Sequence, residues 1–575
     1  MEENTMKKIA VTLIAGVLAF SGVACGGETE QINEDQTQLF VTAFEGGYGV
    51  DWLKAVKTRF EAEYANVSFE EGKTGVQVII KPERNLTQDS LVQNLDGSSQ
   101  EIFFTEAVNY YDLQSRGLLY DISNAVTKPL NYDFKTQTTV ADQESVSLES
   151  KMKSIHKEYY KADDGKYYGI PFYEANYGIV YDVDLFEEEN LYFAAEGQGN
   201  ALGFVKTSAT PRSNGPDGKA GTADDGLPAT YDDFFKLCDY MVNLGITPIT
   251  WTGVANYMNT LVEALQADYE GEEQMRINYT QSGVAKNLVL DINDDGSVET
   301  YEQEINTQNG YLTWTRQAGK YYALKFAERL IGNDKYYVKK DVTSSGYDHL
   351  SAQGALVMDK FITNAKPTAM LIDGSWWHNE ASSSFQSAVQ SFGVAAGSAD
   401  RKFSFMPLPK ATADKVGEGY TILETNSSIC FVNGNLNPKK EAAVFEFIQF
   451  CHTNKSLAEF TSQTLTCKPY TYTMTTEEVN AMPYWGQELY RLHNEANFMS
   501  PYSKTEVFKA NAGAFTEYFN AKMFYTEVGD TEYNVVPSAM FKGVSAKDYF
   551  EGLAKYLTAD RWASEFLNFG SSANN

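Results

Sequence analysis

An α/β fold divided into two or more lobes is predicted by three observations. The chain is 575 residues long, too long for one small core. Its first part alternates strand and helix signals, the pattern of a parallel sheet with helices on its faces. Outside the amino-terminal 20 residues, no stretch reaches the roughly 18 consecutive apolar residues of a membrane span. Residues 38–44 alternate into a first strand, and 52–64 follow as an amphipathic helix. Residues 76–82 and 101–105 are the next strands, and 109–116 form a helix stopped by Gly117. Ligands of such sheets bind at the carboxyl ends of the strands, which places Gly46, Tyr48, Glu106, Asn109 and Tyr110 at a candidate mouth. Further along, Thr230 with Asp233 three residues on marks a helix start. Residues 245–249 read as a strand ending in Trp251, 309–332 as a long helix, and 549–562 as part of a helical carboxyl-terminal portion.

The amino terminus carries Lys7 and Lys8, then the apolar run 9–20, then Ser21-Gly22-Val23-Ala24-Cys25. A basic start and a short apolar run make 1–24 a signal peptide. Small residues before Cys25 resemble a bacterial lipoprotein cleavage site, with Gly22 where Leu is usual; Cys25 is then the lipidated first residue. The start lies at Met1 or Met6. Residues 25–37 are polar and Gly-rich, a flexible tether. The expected location is the extracellular face of a bacterial cell membrane, lipid-anchored.

With 77 acidic against 47 basic residues the net charge is −30, which argues against nucleic acid and anionic membrane surfaces. It also disfavours an anionic ligand, although one basic pocket can hide in an acidic protein. Aromatic residues make up 14%, including 37 Tyr and 7 Trp, whose flat faces and polar edges suit sugar rings. Cys238, Cys430, Cys451 and Cys467 have no zinc spacing. Cys451 and Cys467 either pair or stay as buried thiols. There is no G-x-S-x-G and no H-E-x-x-H, and the five His are scattered.

One acidic loop stands out. Asp291, Asn293 and Asp295 alternate, Gly296 allows a sharp turn, Ser297 offers its carbonyl, and Glu299 and Glu302 complete the spacing of a calcium loop. With no paired second loop, a structural Ca2+ is expected. Asp217, Asp224 and Asp225 occupy a second Gly- and Asp-rich loop without that spacing, either a weaker calcium site or a plain turn.

The run 165–186, GKYYGIPFYEANYGIVYDVDLF, reads as a Gly turn, a buried aromatic strand and a helix start. It resembles the lobe-crossing strand of the extracellular solute-binding proteins of carbohydrate ABC importers, similar to maltose-binding protein. Residues 228–234 (PATYDDF), 369–380 (AMLIDGSWWHNE), 403–409 (FSFMPLP) and the Asn-Pro-Lys-Lys at 437–440 resemble further elements of that family in the same order. The resemblance implies a type II periplasmic-binding-protein fold, two lobes each with a mainly parallel sheet flanked by helices. Lobe one is expected at 38–175 and 403–450, and lobe two at 176–402 and 451–575 with insertions near 187–226 and 269–308. It implies a binder without enzymatic activity, monomeric, that captures a sugar or oligosaccharide and delivers it to ABC permease subunits. By the same resemblance Trp376 is a sugar platform, Trp251, Tyr257 and Trp485 are further aromatic contacts, and Glu174 and Asn176 bond hydroxyls. Trp52, Trp314 and Trp562 read as core, with Trp377 and His378 packed behind Trp376. The alternatives are a secreted glycoside hydrolase or other carbohydrate-active enzyme, or a binder of a polyamine, a peptide or, through Tyr pairs such as Tyr110-Tyr111, iron.

Overall fold

The computed structural model describes residues 31–84, 86–106, 108–141, 144–253, 257–424, 428–516 and 522–567. The expected signal peptide, the lipidated Cys25 and the first part of the tether lie outside the described residues. Two main sheets organise the chain. Their strands are β1 (Thr37–Phe44), β2 (Val76–Glu83), β3 (Ile102–Thr105), β4 (Gly169–Ile170), β5 (Tyr177–Asp182), β6 (Thr247–Trp251), β7 (Thr368–Gly374), β8 (Phe403–Met406) and β9 (Ile429–Val432). The first sheet has the order β2-β1-β3-β9-β4 and the second β8-β5-β7-β6.

β1 lies parallel to β2 and β3, as the strand–helix alternation requires. β9, arriving from the other lobe, runs antiparallel to β3 and β4. The second sheet departs from the expected parallel arrangement. Only β6 and β7 are parallel, and β5 is antiparallel to both of its neighbours. The reason is topological: β5 is fed by the crossing from lobe one, not by a helical crossover within its own lobe.

The lobe boundaries also move. Phe403–Met406, expected in lobe one, pairs with β5 in the second sheet, so the return to lobe one comes only at β9. The helix Asn454–Thr464, expected in lobe two, packs on lobe one's Asp51–Glu63 helix, where Arg59 pairs with Glu459 at 2.5 Å. The latter helix buries Trp52, Leu53, Val56 and Phe60, one stripe at 3–4-residue spacing. Trp52 then meets Phe104 of β3, Phe172 and Phe460 with ring centroids 5.1–5.4 Å apart. Trp52, Trp314 and Trp562 are all core residues.

The capping box expected at Thr230 and Asp233 opens the helix Tyr231–Asn243. The insertion near 269–308 becomes the end of the helix Tyr257–Thr280, interrupted at Gly271 (φ 70°, ψ 170°), and an antiparallel hairpin, Gly283–Ile292 with Val298–Ile305. The carboxyl-terminal portion is helical as expected, over Glu506–Thr516, Ala546–Tyr556 and Ala559–Phe566. It is pinned to the insertion by Trp562, whose indole N–H donates to Thr307 O at 2.8 Å and whose ring meets Trp314 edge-on. Among the described residues, no helix is long and apolar enough to cross a membrane. Cys238, Cys430, Cys451 and Cys467 are free buried thiols, so the pairing of Cys451 with Cys467 is not present.

One buried ion pair fixes the edge of the second sheet. Asp182 caps the helix Val183–Glu188 by accepting from Leu185 N–H, and its other oxygen takes Arg401 Nη2 at 2.6 Å. Arg401 also donates to Val357 O. Arg401→Met keeps the bulk but leaves a buried, uncompensated carboxylate; we expect it to cost about 3–5 kcal/mol of stability, read by urea denaturation.

Candidate functional site

Three passes of the chain between the sheets meet at one point. The first is 171–176, ahead of β5; the second passes Glu424 toward β9; the third leaves the helix Asn454–Thr464 and reaches Tyr484–Glu495, which packs on β8. They are tied by backbone. Glu174 N–H donates to Cys467 O at 2.9 Å, and Asn176 bridges Glu424 in an antiparallel pair. Thr466 Oγ1 donates to Glu174 O at 3.2 Å.

At this junction the Glu174 carboxylate is 4% exposed and accepts from Lys153 on one oxygen and from His493 Nδ1 at 2.8 Å on the other. His493 Nε2 faces Tyr470 O at 3.1 Å. Both of its ring nitrogens thus face groups that can only accept. Burial alone would raise the Glu174 carboxyl; the His493 ring and the Lys153 ammonium outweigh it and hold the group well below the usual carboxylate range. Beside it, Glu424 stands 3.2 Å from His156 Nε2 and accepts from Ser500. Glu174, Cys467 and His493 also bring an O, an S and an N donor within 4.8 Å of one another. The carboxylate is already engaged by Lys153 and His493, and burial pushes the Cys467 thiol up to about 12, so the group reads as a hydrogen-bonded pivot and not a metal site.

In front of the pivot the two lobes touch. The loop after β1 presents Tyr48, and its hydroxyl shares a 2.8 Å hydrogen bond with Ser375 Oγ, in the turn after β7. Gly47 (φ +45°) lies flat against Trp376; a Cβ there would stand 3.0 Å from Trp376 Cβ, so a side chain at this position would push the lobes apart. Trp376 meets the Tyr177 ring edge-on at 4.9 Å, and Tyr177 meets Tyr257 edge-on at 5.7 Å. Tyr173 packs on Tyr48 from the crossing. Ser375 is held from behind, its N–H donating to Asn176 O and its carbonyl accepting from the Trp485 indole at 3.3 Å.

The structure therefore brings together Tyr48, Glu174, Asn176, Tyr257 and Trp376, with Glu106 half-buried at the end of β3. Trp376 is only 5% exposed here, its six-membered ring lying against Gly374 and its Cβ–Cγ edge against Gly47. Four other expected contacts sit elsewhere. Trp251 is fully buried against Tyr337, where the end of the edge strand β6 turns into the interior. Trp485 is wedged between Trp377 and Phe405. Tyr110 is a core residue whose hydroxyl donates to Tyr160 O. Asn109 caps the helix Tyr110–Ser115 and donates to Lys509 O of the carboxyl-terminal portion. Trp377 and His378, expected behind Trp376, are buried and pack instead on Phe385, Phe403 and Trp485; burial brings the His378 ring down to about 3, keeping it neutral. Sequence reading missed Tyr173, Tyr177, Ser375, Lys153 and His493. Tyr177 was legible, as it follows Glu174 and Asn176 in the same crossing; Lys153 and His493 carried no local signal.

The Asp291–Glu302 loop is the turn of the insertion's hairpin. Asn293 N–H donates to Ser297 O, Asp295 accepts from both N–H and hydroxyl of Ser297, and Lys325 donates to Gly296 O at 3.1 Å. Asp291 and Glu299 lie opposite one another, while Glu302 is further up the strand. Among the described residues, no three carboxylates of this loop come within 4.8 Å of one another. In the second loop Asp224 is buried and accepts from Asp217 N–H and Thr222 Oγ1, and Asp225 accepts from Gly221 N–H.

No known family profile matches the chain. No curated protein matches it either. Among solved structures, it is similar to apo RafE from Streptococcus pneumoniae, with a TM-score of 0.51, 13% identity, and coverage of 92% of this chain and 100% of that one. Maltose-bound MalE3 of T. maritima gives a TM-score of 0.49 at 12% identity over 90% and 98% of the two chains. The substrate-binding protein Lmo0181 of Listeria monocytogenes, in complex with cycloalternan, gives 0.48 at 13% over 92% and 98%. The likeness to RafE agrees with the topology above: this chain has the two-lobed fold of substrate-binding proteins.

Because Glu174 is held low, its stabilising contribution is complete above the ordinary carboxylate value of about 4.3 and drains away as pH falls toward the lowered folded value. Glu174→Gln is expected to cost about 3–5 kcal/mol at pH 7. Melting curves of both proteins from pH 7 to 3 should show the gap constant down to about pH 5 and narrowing below that. A gap that narrows already between pH 7 and 5 contradicts the assignment.

Proposed function

We propose that this protein is the extracellular substrate-binding component of an ABC importer, which closes its two lobes on a sugar or oligosaccharide and delivers it to membrane permease subunits. The observation that carries this reading is the facing set Tyr48, Tyr177 and Trp376, drawn from both lobes in front of a three-strand pivot. Opening about the pivot uncovers the Trp376 face, onto which a sugar ring stacks, while Tyr48, Ser375, Asn176 and Glu106 answer its hydroxyls. Closure then draws on contacts that both lobes make only when shut. RafE, whose fold this chain shares, is a binding protein solved with raffinose, which supports a saccharide ligand.

Glycosidase chemistry needs one carboxyl kept as a general acid. Glu174, the buried carboxylate at the junction, is instead ionised between Lys153 and His493, which favours binding over catalysis. Attachment through a lipidated Cys25 and a structural Ca2+ at Asp291, Asn293, Asp295, Ser297, Glu299 and Glu302 belong to the same proposal. The calcium part requires the hairpin turn to close so that Glu302 reaches the ion, displacing the Lys325 ammonium.

Calorimetry against a panel of neutral oligosaccharides tests the reading: one class should bind with no product formed. Trp376→Ala should weaken that binding by about 2–4 kcal/mol when measured below the variant's own melting temperature, which the loss of a buried ring lowers. Unchanged affinity removes Trp376 from the site. Millimolar Ca2+ should raise the melting temperature of the wild type and leave that of Asp291→Asn/Glu302→Gln unmoved.

A further inference from the structure

A second pocket, of about 280 Å³, lies where lobe one, lobe two and the carboxyl-terminal portion meet. Its walls are the helix Ser154–Tyr160, packed on the first sheet, the end of the helix Tyr257–Thr280, and residues 502–505. Arg276 lines it, half-buried, and its guanidinium makes no hydrogen bond or ion pair among the described residues. Lys504 lines the opposite wall; its ammonium donates to Lys161 O at 2.6 Å and stands 3.6 Å from the exposed Asp163. Glu158 is the one lining carboxylate and is exposed, and with Lys504 paired to Asp163 the Arg276 guanidinium is the lining cation left without a partner among the described residues. In a chain of net charge −30, an unpaired guanidinium in a concave site calls for an explanation.

The rest of the lining is suited to a saccharide. Thr280, Ser503 and Thr505 line it with hydroxyls that donate to Arg276 O, Thr505 Oγ1 and Gln281 and are left as acceptors, and Tyr159 and Tyr502, stacked on one another at 4.4 Å, close it with buried ring edges. The volume is near the lower end of the roughly 300–1,000 Å³ of small-molecule pockets, the size for one sugar ring and not a chain. We propose that this pocket binds the anionic end of the ligand, a sugar residue bearing a carboxylate or a sulfate ester, with Arg276 as the bidentate partner of the acid group. The saccharide part of this inference rests on the sugar-binding reading above. Because the pocket takes walls from both lobes, an acid group seated there adds a contact made only in the shut form.

The test is calorimetry of the full chain with D-glucuronate, glucose 6-sulfate and D-glucose, on the wild type and on Arg276→Gln, with melting temperature as the folding control. At least one acid should bind about tenfold or more tightly than glucose, and Arg276→Gln should abolish that preference. Which acid responds tells carboxylate from sulfate ester. No preference for either acid, or a preference that survives in Arg276→Gln, overturns the proposal. Trp376→Ala run in parallel separates the two readings. Neutral oligosaccharides binding through Trp376 without any acid preference sinks this pocket and leaves the cleft. An acid preference that depends on Arg276, with no neutral saccharide bound, sustains the pocket and sinks the cleft.

Discussion

A single buried carboxylate, that of Glu174, holds the two-lobed arrangement in register. Taking an ionised carboxylate out of water costs several kcal/mol, and only good geometry with full hydrogen bonding offsets it. Here the compensation comes from two separate parts of the chain: Lys153, just ahead of a lobe-one helix, and His493, on the helix that packs on β8. The Glu174 peptide is meanwhile clamped between Cys467 and Thr466 of the third crossing. Separating any of these strands strands a charge or a buried N–H. The crossings can twist together but cannot come apart, which is what a hinge between rigid lobes requires.

The contacts in front of the pivot are of a different kind. Tyr48 and Ser375 share one neutral hydrogen bond, and Gly47 offers Trp376 a bare backbone. A neutral bond is worth about 0.5–1.5 kcal/mol net, small beside the charged network behind it. The asymmetry sets the order of events under strain: the mouth parts while the pivot holds. A ligand that takes Gly47's place beside Trp376 competes only with this weak set, so modest contact energy suffices to bias closure.

The sequence made legible what depends on local chemistry. Alternation at β1 to β3, the Thr230–Asp233 capping box and the core stripe Trp52, Val56, Phe60 follow from period and turn residues, and they stand in the structure as expected. The direction of β5 and the lobe membership of Phe403–Met406 were not legible, because pairing partners hundreds of residues away decide them. The site divides the same way. Trp376 and Tyr48 follow strand ends, where the sheet rule points. Trp251 also follows a strand end, yet β6 is the outermost strand and its terminus turns into the interior against Tyr337. Lys153 and His493 are ordinary residues until folding sets them on either side of Glu174.

The carboxyl-terminal portion adds a constraint on motion. Its segment 502–511 reaches across to lobe one, through Lys509 to Asp163 at 2.6 Å and Asn109 to Lys509 O, while Thr505 Oγ1 donates to Gln281 beside lobe two. The two attachments differ in strength. Asp163 is 70% exposed, and exposed pairs contribute at most about 1 kcal/mol. On the lobe-two side, Trp562, Phe515 and Phe566 bury their rings around Trp314. Lobe one also holds the portion through the buried stack of Tyr502 on Tyr159 at 4.4 Å, so the portion bridges both lobes. Arg276 is carried by the helix Tyr257–Thr280 and Tyr159 by a lobe-one helix, so the pocket beside them draws its walls from both lobes.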